Sequence, residues 1–249
     1  MNLELHPLNF YQRSGLILVY GALSLAAQVI ILREFLTLAQ GNEVFLGLGL
    51  WTWLFWTGLG SLLGGRLAVN FPVSRSLLAQ LLACLAVGLP LTVILTRALP
   101  TLLGWTGGVA PSPLSLGVWY AILSGPFCSI SGFFFPLACL WLRHRQESAG
   151  VVGRAYGLDA LGMSLGGVVL QVLLLGRWDS LWLALFLGLG VLLSLVWVPR
   201  IRPRRMWLLF LGLMVLAAGL LAALAWLPEA SRRWQWPRRT VLAVQETPH

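Results

Sequence analysis

The chain of 249 residues is 58% hydrophobic and only 10% charged. This composition excludes an ordinary soluble domain, in which about a quarter of the residues are charged. The net charge of +9 would suit a nucleic-acid partner, but all 17 basic residues are arginines and nearly all lie at the ends of apolar segments. That distribution is typical of membrane topology determinants, so we exclude nucleic acid as a partner. The composition predicts an all-α, polytopic transmembrane helix bundle.

Seven apolar segments are long enough to cross a bilayer, which takes about 20 residues each. They lie at 14–33, 44–65, 77–99, 114–142, 155–175, 181–198 and 206–227. If one of the seven segments does not cross the membrane, we expect it to be 114–142, which is long and is broken by Pro126 and Pro136. We assign residues 1–228 to a transmembrane helix bundle and residues 229–249 to a tail, with the lipid bilayer as the main partner.

The arginines also predict the orientation of the bundle. With a cytoplasmic amino terminus, ten of the loop arginines face inwards and three face outwards, in agreement with the positive-inside rule. The inner set is Arg13, Arg66, Arg75, Arg143, Arg145, Arg154, Arg200, Arg202, Arg204 and Arg205, and the outer set is Arg33, Arg97 and Arg177. The amino-terminal segment lacks the basic cluster and the cleavage site of a signal peptide. We therefore expect a multi-pass protein of the cell inner membrane.

Two glycine-leucine sequences suggest an internal duplication. Residues 58–65 (Gly-Leu-Gly-Ser-Leu-Leu-Gly-Gly) and 160–167 (Ala-Leu-Gly-Met-Ser-Leu-Gly-Gly) are identical at five of eight positions, and a weaker similarity relates residues 20–24 to 120–124. A 3+3 inverted repeat with one extra helix would explain both, as in the halves of many transporters. Chance similarity is the alternative in a chain so rich in Gly and Leu.

Glycines spaced at i and i+4 predict grooves for close helix packing in lipid. They are Gly60, Gly64, Gly153, Gly157, Gly162 and Gly166. If the duplication is real, the second and fifth spans are equivalent, and we expect them to pack together near the centre of the bundle. The alternative is that any polytopic protein contains such glycines.

A few polar residues lie within or beside the predicted spans and form the candidate ligand or charge-network set. They are Gln28, Arg33, Glu34, Asn42, Glu43, Arg66 and Asp159. Ionisable residues at membrane depth are costly and face the bundle interior or water. Adjacent residues point about 100° apart on a helix, so Arg33 and Glu34 each need a partner on another helix.

Two readings of these charges are open. Glu34 and Glu43 would suit a cationic ligand, whereas a charge cluster that pins the end of the helix is the alternative that we favour. For Asp159 we expect an ion pair with Arg66 near the cytoplasmic face, in preference to a role in proton relay.

No residue pattern indicates a catalytic, cofactor-binding or metal-binding centre. Cys84, Cys128 and Cys139 fall inside predicted spans, and their odd number favours packing roles over disulfides or metal ligands. The glycine-rich runs are transmembrane and do not follow a strand, so they do not predict a nucleotide cradle.

Several of these motifs together resemble the membrane region of spermidine synthase-like proteins. The matching residues are Gln28 and Arg33-Glu34-Phe35-Leu36, then Gly41-Asn42-Glu43, then residues 58–68. These proteins are polyamine aminopropyltransferase relatives fused to a membrane domain similar to the major facilitator superfamily. Residues 152–162 resemble the family's other marker, with Asp159 where Asn is more frequent. Residues 64–68 also look like the loop between helices two and three of facilitator transporters, with Val69-Asn70 replacing the usual acidic-basic pair.

The tail, residues 234–249, is similar to the opening of an aminopropyltransferase domain. The resemblance implies an integral membrane domain that anchors a transferase-like region of polyamine biosynthesis and handles polyamines. The family's catalytic part, with its glycine-rich loop for decarboxylated S-adenosylmethionine, is not found in these residues, so we expect no aminopropyl transfer by this chain alone. The partners implied are an aminopropyltransferase domain, other membrane subunits or a second copy. Two alternatives are a polyamine or other cation half-transporter that dimerises, and a structural subunit that packs against other membrane proteins.

Overall fold

The computed structural model describes residues 8–70, 73–104, 112–142, 149–174 and 178–196, and these ranges are helical with no strand among them. The helices are α1 (Leu8–Leu38), α2 (Val44–Asn70), α3 (Arg75–Leu102), α4 (Pro113–Leu142), α5 (Ala149–Val169) and α6 (Ser180–Val196). A single π-helical turn, Leu170–Leu174, extends α5. Helices suit an apolar solvent because they satisfy every interior N–H and C=O group within one segment.

Five of these helices are long and apolar enough to cross a membrane, which indicates a multi-pass membrane protein. Their spans are Ser14–Leu38, Val44–Ala68, Ser76–Leu102, Pro113–Leu142 and Gly150–Val172, and the apolar part of α6, Ser180–Leu195, is shorter. The six helices correspond to the first six predicted segments. The seventh segment, 206–227, and the tail, 229–249, lie outside the described residues, so the count of seven stays a prediction.

The proline-containing segment is one continuous helix of 30 residues, α4, with Pro126 and Pro136 inside it. Each proline removes one helical hydrogen bond, a loss that membrane helices tolerate when neighbouring groups or small local adjustments compensate. Glycines lie close to both prolines and let α2 approach. Gly125 contacts the Trp56 ring, and Gly132 lies against the Thr57 backbone.

Helices α1, α3 and α4 form the interior of the bundle. Between 50% and 56% of the most apolar window of each is buried, compared with 22% for α2 and for α5. Helix α2 packs mainly on α4, α5 on α1, and α6 on α3. The expectation that α2 and α5 pack together at the centre is therefore wrong, because their glycines serve contacts with α4 and α1 instead.

Glycines make the closest contacts between helices. At six glycines in the α2–α4 and α1–α5 contacts, an added β-carbon would overlap with the backbone of the neighbouring helix, so these positions set how near these helices lie. The pairs are Gly60 with Ser129, Gly64 with Phe133 and Gly132 with Thr57 between α2 and α4, and Gly162 with Leu18, Gly166 with Ala22 and Gly21 with Asp159 between α5 and α1.

Two of the predicted packing glycines differ from the others. Gly153 and Gly157 are exposed, and a β-carbon added to either would meet no atom within 4 Å. They lie on a face of α5 that no described helix covers. The cysteines also differ among themselves, since Cys128 is buried and Cys139 partly buried, whereas Cys84 is exposed on α3. The packing role predicted for all three does not extend to Cys84.

Candidate functional site

Charged groups converge at the end of the bundle where α1 and α3 finish and α6 begins. Arg97 on α3 donates two hydrogen bonds of 2.8 Å to Glu34 on α1, from Nε to Oε2 and from Nη2 to Oε1. Nη2 of Arg97 also lies 2.9 Å from Oδ1 and 3.0 Å from Oδ2 of Asp179, the residue before α6. The side chains of Arg97, Glu34 and Asp179 are 3%, 5% and 10% exposed. We call these three residues the Glu34–Arg97–Asp179 network.

The charges of this network balance when Arg33 is included. Nη1 of Arg33 lies 3.5 Å from the carbonyl oxygen of Trp178, at the outer limit of a hydrogen bond. Two arginines and two carboxylates therefore meet at one end of the bundle. The planar guanidinium of Arg97 fits carboxylate oxygens in a fixed geometry, which a lysine could not reproduce. A membrane interior tolerates charges when they are paired in this way, and here the pairs hold α1, α3 and α6 together.

The sequence identified one of the three residues of this network, Glu34, and also Arg33 beside it. Glu34 does find its partner on another helix, and Arg33 reaches the carbonyl next to Asp179. Arg97 and Asp179 were missed. The positive-inside count assigns Arg97 to an outer loop, although it lies within the apolar segment 77–99. A charged residue inside an apolar segment indicates a buried ion pair, and this signal could have identified Arg97. The signal for Asp179 was its place before an apolar run, where an acid caps a helix, and its Oδ1 accepts a 2.9 Å hydrogen bond from the N–H of Leu181.

The turn between α1 and α2 holds two further candidates. Oδ1 of Asn42 accepts a hydrogen bond of 3.0 Å from the N–H of Val44 and so caps α2. Asn42 also lines an open groove of about 430 Å³, together with Gln40 and Phe45. Glu43 is exposed at the start of α2. Gln28 is half-buried, further back on α1.

Asp159 lies apart from the network, on the side of α5 that packs on α1. It is 6% exposed, and its Oδ1 is buried without a hydrogen-bond partner. The predicted ion pair with Arg66 is not formed. Arg66 is exposed on α2, and α2 packs on α4 whereas α5 packs on α1. Gly21 of α1 lies against Asp159, and a β-carbon at Gly21 would overlap with the backbone and Oδ1 of Asp159.

Other polar groups surround Asp159. The hydroxyl of Tyr20 donates a hydrogen bond of 2.8 Å to the carbonyl of Ser131 on α4, and it lies 3.2 Å from the hydroxyl oxygen of that serine. Ser24 lies beside the same hydroxyl, and Asp159 is within electrostatic range of Tyr20 and of Cys139. A small polar cluster therefore occupies the junction of α1, α4 and α5.

The chain matches no protein-family model, no curated protein and no solved structure. Within the described ranges, no group of three or more His, Cys, Asp or Glu side chains is arranged to hold a metal ion.

Proposed function

We propose that this chain is the membrane domain of a spermidine synthase-like protein, and that it holds a transferase-like region at the bilayer without a catalytic centre of its own. The Glu34–Arg97–Asp179 network supports this proposal most strongly. Both buried carboxylates of the network, Glu34 and Asp179, bind Arg97 and so hold three helices together. Neither is therefore open to a substrate amine. A domain built this way provides a rigid membrane support.

The residues that carry the family resemblance support the same proposal. Glu34 belongs to the network, Gly41 has a positive φ of 77° in the turn, and Asn42 caps α2. Gly60 and Gly162 lie against the backbones of α4 and α1. These five matching residues therefore have structural roles, which is what an anchoring domain requires.

Two assays test the proposal. The purified chain, given decarboxylated S-adenosylmethionine and putrescine, should form no spermidine above the level of a blank. In native membranes, deletion of the chain should release an aminopropyltransferase-like protein into the soluble fraction, as quantitative proteomics would show. Turnover by the chain alone, or a membrane proteome in which no protein of that class changes, would contradict the proposal.

We also propose that the protein lies in the cell inner membrane with its amino terminus in the cytoplasm. The ten-to-three distribution of loop arginines supports this orientation. The network then belongs to the outer end of the bundle. Attachment of a reporter enzyme to the turn at residues 39–43 would test the orientation, since this turn would face away from the cytoplasm.

We further propose that the described helices form a 3+3 inverted repeat, with α1 equivalent to α4, α2 to α5 and α3 to α6. The register of the glycine contacts supports it. Gly162 follows Gly60 by 102 positions, and Asp159 follows Thr57 by the same number. The residues that they contact on α1 and α4 also correspond, because each α4 residue follows its α1 counterpart by 111 positions. These counterparts are Leu18 and Ser129, Gly21 and Gly132, and Ala22 and Phe133.

The hydrogen bond between Tyr20 and Ser131 fits the same register, because it joins residues 111 positions apart. Equivalent residues can touch only where the symmetry axis passes, so this bond marks the axis of the proposed repeat. The register differs from the similarity between residues 20–24 and 120–124, which are 100 positions apart. We therefore attribute that similarity to chance.

A half-transporter for a polyamine or another cation that dimerises is the second candidate function. The inverted repeat favours it, because many transporters are built from such repeats with their binding sites near the repeat interface. Uptake of labelled spermidine into proteoliposomes tests this candidate. Uptake that Glu43→Gln abolishes would favour transport over anchoring, and absence of uptake would leave anchoring as the function.

A further inference from the structure

We propose that Asp159 is a proton-binding site within the membrane, with its carboxyl group held in the neutral form between α1 and α5. The side chain is 6% exposed, and Oδ1 has no hydrogen-bond partner. An ionised carboxylate in an apolar interior is stable only when it is paired and hydrogen-bonded. A proton is the smallest ligand that removes the charge.

Among the residues that the structure describes, the groups that face Asp159 supply no compensating cation. On α1 the titratable neighbour is Tyr20, whose hydroxyl hydrogen-bonds to Ser131, and on α4 it is Cys139. Both are uncharged at neutral pH. On α5 itself, Arg154 is exposed and lies five positions earlier, which on a helix is about 140° around the axis from Asp159. The carboxyl group therefore depends on its own proton for neutrality.

The packing of the helices does not require a carboxyl group at this position. The backbone of Asp159 lies against Gly21 on α1, and the backbone of Thr57 lies in the same way against Gly132 on α4. The hydroxyl of Thr57 is satisfied by the carbonyl of Trp53 on its own helix, at 2.8 Å. The equivalence of Thr57 and Asp159 depends on the inverted repeat proposed above. The burial of Asp159 is observed directly and does not depend on that repeat. A threonine should therefore replace Asp159 without loss of the fold.

Glu34 provides a matched control within the same chain. It is as buried as Asp159, at 4% exposure, but its two oxygens accept hydrogen bonds from Arg97. Pairing with a guanidinium favours the ionised form of a carboxyl group. The two carboxyl groups are thus similar in burial but differ in that a guanidinium is bound to Glu34 and, among the described residues, none to Asp159.

The test is modification of the full chain in its native membrane by dicyclohexylcarbodiimide at neutral pH, followed by peptide mass spectrometry. This apolar reagent reacts with neutral carboxyl groups, so we expect label on Asp159 and none above background on Glu34. Asp159→Asn and Asp159→Thr should lose the label while they keep the thermal stability of the parent chain, which shows that they fold.

Absence of label on Asp159, or equal label on both residues, would overturn the proposal. Protection of Asp159 by Na⁺ would also overturn it, since the ligand would then be a metal cation. A second measurement keeps the test independent of reagent access. The infrared carbonyl band of a neutral carboxyl group should appear in the parent chain and be missing in Asp159→Asn. Failure of spermidine uptake would not affect these results, so the proton site and the transport candidate are tested separately.

Discussion

Replacement of Arg97 by methionine should destabilise the bundle more than any other single change to its charged residues. The substitution keeps an unbranched chain of similar reach but removes the guanidinium that contacts Glu34 and Asp179. Two carboxylates, 5% and 10% exposed, would then lose the guanidinium that they share. Removal of one partner from a buried ion pair costs about 3–5 kcal/mol. At about 1.4 kcal/mol for each tenfold change, the folding equilibrium should shift by roughly 10²- to 10⁴-fold.

The assay is unfolding of the purified protein in mixed micelles by increasing sodium dodecyl sulfate, followed by tryptophan fluorescence. Arg97→Lys should give an intermediate loss, because an ammonium group keeps the charge but loses the planar fork. The substitutions Glu34→Gln and Arg97→Gln, measured singly and together, give the coupling between the pair. We expect a coupling of about 1–3 kcal/mol. Additive losses, or a loss below about 1 kcal/mol for Arg97→Met, would refute the view that this network holds the helices together.

Three other predictions follow from the same geometry. Gly162→Leu should lower the free energy of unfolding by about 1–3 kcal/mol or more, because the new side chain overlaps with the α1 backbone. Gly157→Leu, on an open face of α5, should change it by no more than about 0.5 kcal/mol. Equal losses for the two variants in the same micelle assay would contradict the assigned contacts. Gly41→Ala should cost about 1–2 kcal/mol because the φ of this residue is 77°, and unchanged stability would mean that the turn differs in solution. Glu43→Gln should leave the unfolding midpoint unchanged, since the side chain is exposed, and a marked shift would assign it to a buried contact.

The helices were predictable because lipid imposes a simple rule on sequence. An apolar run such as 44–65 has to be helical to satisfy its backbone in a bilayer, and the structure contains α2 from Val44 to Asn70. The helices are longer than the predicted spans at several ends, because a helix need not stop where its hydrophobic part stops. Helix α1, for example, begins at Leu8, whereas the apolar segment begins at residue 14.

The partners of the charged residues were less predictable, because a single sequence does not say which helices are neighbours. Glu34 needs a cationic partner, but the sequence does not say which arginine provides it. Only the packing of α3 on α1 brings Arg97 to Glu34. Asp159 illustrates the opposite error. Arg66 lies near the same predicted membrane face, yet α2 and α5 pack on different helices, so the two charges do not pair.

The central claim is that lipid surrounds the apolar outer surface of this bundle. It can be tested by cysteine labelling in sealed membrane vesicles, in a chain whose three native cysteines are replaced by alanine. Leu54 on α2 and Leu165 on α5 are 68% and 64% exposed and lie within the spans, whereas Gln40 lies in the exposed turn. A membrane-impermeant maleimide should modify Gln40→Cys from one side and should modify neither Leu54→Cys nor Leu165→Cys from either side. Reaction of the two helix positions as fast as that of Gln40→Cys would mean that water covers this surface and that lipid does not surround the bundle.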